Sequence, residues 1–189
     1  VYSPDAGIQV RLKVEDHTNP GISVETEATT TVANAWETLT FDFANQAAGT
    51  AALNLANTYD KASIFFNFGV TGATAGAKTY YVADVVFVPA SGGGGTWSPI
   101  TFDASAVTYT LTGFGGADDS TVIVDPIGGT NKVARVVKSA TAELWAGTTV
   151  STGPNFSVPT LPFTASSTKM TVRVYSPDAG IKVRLKVED

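Results

Sequence analysis

The sequence predicts an all-β fold: a two-sheet antiparallel β-sandwich of the jelly-roll kind. Three observations carry this. Apolar residues recur with a period of two in about ten short runs, the spacing that puts one face of a strand inward. Gly, Pro and Asn clusters separate those runs and supply the turns. No stretch has the 3.6-residue periodicity of an amphipathic helix, and the Ala-rich segment 47–57 allows a turn or two at most.

In chain order, strands are expected near 22–32, 36–43, 62–69, 79–88, 100–103, 109–113, 120–125, 132–139 and 145–151. Leu39, Phe41 and Phe43 share one face of their strand, and Ile64, Phe66 and Phe68 share one face of theirs. In 171–175, Val172 and Val174 alternate with Thr171, Arg173 and Tyr175. After the turn residues Ser176-Pro177-Asp178-Ala179-Gly180, alternation resumes with Ile181, Val183, Leu185 and Val187 against Lys182, Arg184, Lys186 and Glu188. That pattern predicts a hairpin with a five-residue loop over 171–187.

The two ends of the chain carry the same segment. Residues 1–16 recur as 174–189 with a single change, Lys182 for Gln9. One reading is a natural module taken from a tandem array with a period of 173 residues. The favoured reading is engineering: a circular permutant whose cut segment was copied onto both ends. Ser91-Gly92-Gly93-Gly94-Gly95-Thr96 has the composition of a flexible joint. Reading from Trp97 to Asp189 and on from His17 to Pro89 gives one uninterrupted domain in which the segment occurs once. The expected organisation is therefore a single domain over 1–189, with 90–96 joining the parental termini.

Composition removes several functions. A chain of 189 residues buries roughly 70 % of its unfolded surface, enough for a core without disulfides or metals. With 43 % apolar and only 15 % charged residues, the chain is not a disordered one. Its net charge of −5 supplies no basic face for nucleic acid, and no apolar run reaches the ~20 residues of a membrane-spanning helix. There is no cysteine, and the one histidine, His17, lies in the turn-like His-Thr-Asn-Pro-Gly. The carboxylates Asp118-Asp119, Glu25 with Glu27, and Glu15-Asp16 lack any spacing that implies a catalytic pair, so the chain reads as a non-enzyme.

In the restored order the motifs form a series. Phe102-Asp103 comes first, then Lys132-Val133-Ala134-Arg135-Val136, Trp145-Ala146-Gly147 and Val183-Arg184-Leu185-Lys186-Val187-Glu188-Asp189. Trp36-Glu37-Thr38-Leu39-Thr40-Phe41-Asp42-Phe43, Ile64-Phe65-Phe66-Asn67-Phe68-Gly69 and Tyr80-Tyr81-Val82-Ala83-Asp84-Val85 complete it. This series resembles the β-jelly-roll carbohydrate-binding modules appended to bacterial secreted glycoside hydrolases. The resemblance implies a non-catalytic polysaccharide-binding module from a secreted parent, often with a structural calcium ion. Where such modules end on aromatic-Asp-Asp-hydrophobic, Val82-Ala83 replaces the aromatic-Asp and only Asp84 remains, which predicts a weakened calcium site.

The candidate sugar-binding residues are Arg11, Lys13, Glu25, Glu27, Phe65, Asn67 and Trp145. Aromatic rings stack on sugar C–H faces, and charged groups fix hydroxyls. Arg11 and Lys13, or their copies Arg184 and Lys186, are placed to meet Glu25 and Glu27. The competing view makes these charges cross-strand pairs on a solvated sheet, each worth roughly 0.2–1 kcal/mol. The calcium candidates are Asp84, Asp103 and Asn131, the last in the Gly128-Gly129-Thr130-Asn131 loop. Since the parental sandwich has one place for the duplicated strand, the surplus copy predicts self-association by strand exchange between chains. Three functions are thus expected in order: an assembly scaffold derived from a sugar-binding sandwich, a natural sugar-binding module, and a polysaccharide hydrolase or lyase.

Overall fold

Alternating inward residues on two sets of strands bury a shared core, and this pairing of layers defines the structure, a computed structural model that describes residues 10–15, 18–19, 21–32, 35–90, 97–176 and 182–188. Eleven strands are described: β1 (Val10–Glu15), β2 (Ser23–Thr29), β3 (Ala35–Asp42), β4 (Lys61–Phe65), β5 (Lys78–Val88), β6 (Thr110–Phe114), β7 (Thr121–Val124), β8 (Lys132–Lys138), β9 (Gly147–Ser151), β10 (Lys169–Ser176) and β11 (Lys182–Glu188). One sheet runs β3-β10-β5-β8-β7; the other contains β2, β4, β9 and β6, with β1 and β11 both between β2 and β4. Every ladder is antiparallel except a lone parallel pairing of Val10 with Val183. The chain is therefore an all-β, two-sheet sandwich, as the alternation predicts.

The core lies between the sheets. Leu39 and Phe41 from β3, with Phe43 just beyond it, meet Ala62 and Ile64 from β4, Tyr80, Val82, Val85 and Phe87 from β5, and Met170, Val172 and Val174 from β10. Phe163 sits among three rings, edge-on to Phe43, Tyr59 and Phe87 at centroid distances of 5.1, 5.8 and 5.5 Å. Such pairs add to the area term that dominates burial.

Three expectations are corrected. The 171–187 segment is not a hairpin: β10 pairs with β3 and β5, whereas β11 pairs with β2 and β4 in the opposite sheet. Alternation in two successive strands is met by a connection between the sheets as readily as by a hairpin. The segment 47–57 holds only short turns, within what its composition allows; the one α-helix among the described residues is α1 (Gly72–Ala75), capped by Thr71 Oγ1 accepting from Thr74 N at 3.3 Å. The strand expected at 100–103 reduces to one bridge, Ile100 to Val85. Finally, β4 stops at Phe65, because Asn67 takes a left-handed φ of 50° and ends the alternation. Phe68 then packs edge-on to Phe65 at 5.9 Å rather than sharing the face of Ile64 and Phe66. His17, the linker at 91–96 and the turn at 177–180 lie outside the described residues.

Candidate functional site

The registers assemble the outer face of the β2–β4–β9–β6 sheet. Glu27 of β2 stands opposite Arg11 and equally opposite Arg184, and both arginines stand opposite Phe65 of β4. Glu25 stands opposite Lys13 and Lys186, which in turn stand opposite Ser63. Directly opposed residues share a face. Arg11 and Lys13 therefore take register positions in two adjacent rows with Glu27 and Phe65 and with Glu25 and Ser63, and in those rows Glu25, Ser63 and Phe65 are buried.

The row through Phe65 continues into an aromatic cluster. Phe65 meets Phe114 of β6 edge-on at 5.4 Å, and Phe114 stacks on Trp145 at 6.1 Å with planes 16° apart. Gly147 makes this possible, since a Cβ there would lie 2.8 Å from both Phe114 Cζ and Phe65 Cδ1. Gly115 leaves room for the indole in the same way, with an added Cβ 2.9 Å from Trp145 Cζ3. Phe65 is buried at 4 % exposure, while Trp145 keeps 47 % of its surface open. Of Phe65, Phe114 and Trp145, the indole is the exposed ring. Ser63 Oγ and Thr149 Oγ1 lie 2.8 Å apart across β4 and β9.

Asn67 does not join this surface as a polar arm. It is buried in the bend after β4, and its carbonyl accepts from Lys138 Nζ at 3.1 Å. Lys138 closes β8 and reaches inward to three carbonyls, those of Phe66 at 3.3 Å, Asn67 at 3.1 Å and Val70 at 2.7 Å. Burial lowers its pKa from 10.5 to about 8. Sequence reasoning passed over this lysine, although it continues the inward parity of Ala134 and Val136. It also passed over Phe114, which its neighbours Gly115 and Gly116 could have signalled.

The calcium candidates have partners of other kinds. Asp84 sits at an irregularity of β5 with φ 49° and pairs with Arg173 NH1 at 3.4 Å. Asp103 Oδ1 accepts from Lys132 N at 2.6 Å, and the carbonyl of Asn131 accepts from Asp125 N at 2.9 Å. Asp103 is so held beside the end of the 128–131 loop, while Asp84 is held by β10. Among the described residues no three acidic or histidine side chains gather as a metal cluster. Among the described residues, two grooves of about 260 and 220 Å³ lie around Pro99, Val107 and Tyr109 and around Phe102, Tyr109 and Lys132, and a third of about 240 Å³ is lined by Gly116, Asp118, Asp119, Val137 and Ser139.

The fold and this surface define a β-sandwich with an aromatic–charged sheet face. No protein-family model, curated protein or solved structure matches the chain.

Proposed function

We propose that the chain is a non-catalytic carbohydrate-binding β-sandwich in circularly permuted order, which also serves as a strand-exchange assembly scaffold. The observation that supports sugar binding is the continuous row from Trp145 through Phe114 and Phe65 to the register of Arg11 and Glu27. A half-exposed indole backed by a second ring is a ready platform for a pyranose face, and the neighbouring charges supply hydrogen bonds to hydroxyls. The parent is read as a secreted bacterial protein, with any calcium structural and weakly held. Affinity electrophoresis in gels containing β-glucan, xylan or mannan tests the reading. Retardation by one of them, lost in Trp145→Ala and in Glu25→Gln, is expected; equal mobility in all gels overturns sugar binding. Release of reducing sugar that one carboxylate substitution abolishes would establish the hydrolase or lyase alternative instead.

A second reading, the natural array with a period of 173 residues, is favoured by the Gln9-to-Lys182 difference, which a copied segment would not need. Coding sequence beyond residue 189 that continues as a match to His17-Thr18-Asn19-Pro20 would establish it and remove the engineered reading.

A further inference from the structure

Two segments of this chain answer to one place in the sheet. β1 stands opposite Ala28, Glu27, Thr26, Glu25, Val24 and Ser23 of β2, and β11 stands opposite the same six residues in the same order. Opposite β4, Arg11 and Arg184 both address Phe65, Leu12 and Leu185 both address Ile64, and the coincidence runs on to Glu15 and Glu188 at Lys61. A strand has one backbone edge toward each neighbour, so a ladder residue of β2 or β4 serves one partner strand at a time. Two backbones with identical addresses on both sides are alternatives.

We infer that the position between β2 and β4 is a strand-receiving site that β1 and β11 fill in turn, giving the chain two folded frames. In the first frame the occupant is joined to β2 through residues 16–22; in the second it is joined to β10 through residues 177–181. The segments Val10–Glu15 and Val183–Glu188 have the same sequence and the same register on β2 and β4, so their ladders are equivalent. The difference begins one residue earlier, where Lys182 stands opposite Thr29 and the first copy carries Gln9. Connections of seven and five residues differ little in closure entropy. The frames are therefore close in free energy, and a small bias in one copy selects the other. Each frame leaves one apolar-alternating strand without its ladder, which is the donor that the assembly reading requires. The inference deepens that reading, but it concerns exchange within one chain and holds whether or not chains associate.

The test uses Val14 and Val187, which share the register of the core residues Val24 and Ala62. An aspartate at that register puts an unpaired carboxylate against the core. Val14→Asp alone and Val187→Asp alone each close one frame, so each lowers the folding constant by about twofold, within a shift of about 3 °C in Tm. The double variant closes both and loses its cooperative melt or falls by more than about 10 °C. If either single variant is as damaging as the double, or if the double is as stable as the singles, the two-frame assignment is overturned. Since the chain has no cysteine, disulfide trapping gives an independent readout on folded protein. Glu25→Cys with Lys13→Cys, and Glu25→Cys with Lys186→Cys, are each expected to cross-link within one monomer. Cross-linking of one pair alone refutes the exchange. Light scattering on the same samples decides assembly separately: monomers that trap both pairs retain the frames and remove the scaffold.

Discussion

Replacing Lys138 by methionine should change how stability depends on pH. The Lys138 side chain is 2 % exposed and its ammonium donates to the carbonyls of Phe66, Asn67 and Val70, so it ties β8 to the bend that carries Phe68. Burial holds its pKa near about 8, against 10.5 for an exposed lysine. The sign follows from proton counting. Between pH 8 and 10.5 the unfolded chain binds the proton more fully than the folded one, so unfolding free energy rises with pH across that window. A depression from 10.5 to about 8 corresponds to about 3 kcal/mol at most. The three carbonyl acceptors favour the charged form, so the rise measured will be smaller than this ceiling. Urea unfolding at pH 7, 8, 9 and 10, on the parent and on Lys138→Met, isolates the effect because other titrations cancel in the difference. Parent minus variant should grow by about 1–3 kcal/mol from pH 8 to the top of the window. A difference that is flat, or that shrinks as pH rises, refutes the assignment of a buried ammonium at this position.

Gly147→Ala should cost about 1–3 kcal/mol, because the new methyl meets Phe65, Phe114 and the Ile64 carbonyl at 2.8–2.9 Å; an unchanged melting temperature would show that the sheet yields there freely. Calcium should shift Tm by less than about 2 °C relative to chelator, since Asp84 already pairs with Arg173 and Asp103 with the Lys132 amide; a large rise would reveal an intact site. Deleting residues 1–16 should leave a folded monomer, because β11 carries the same ladder sequence to the same place on β2 and β4; a chain that fails to fold would show that β1 alone is competent.

The sequence by itself determined the all-β class, most strand positions and the duplication, because period-two burial and turn chemistry are local properties that each segment states for itself. Leu39, Phe41, Phe43, Val172 and Val174 reach the core as their parity requires. Alternation also put Arg11 with Lys13, and Glu25 with Glu27, at positions of one parity in their own strands. Which strands become neighbours is not local. Only the tertiary structure sent β10 and β11 to opposite sheets, because a strand that hides one face on a shared core packs equally well on either side of a turn. Only packing across β4, β9 and β6 brought Phe65, Phe114 and Trp145 into one cluster, from positions up to 80 residues apart, over a glycine that leaves them room. Only the bend at Asn67 turned three carbonyls toward Lys138, since a left-handed residue redirects the backbone in a way that side-chain parity does not record.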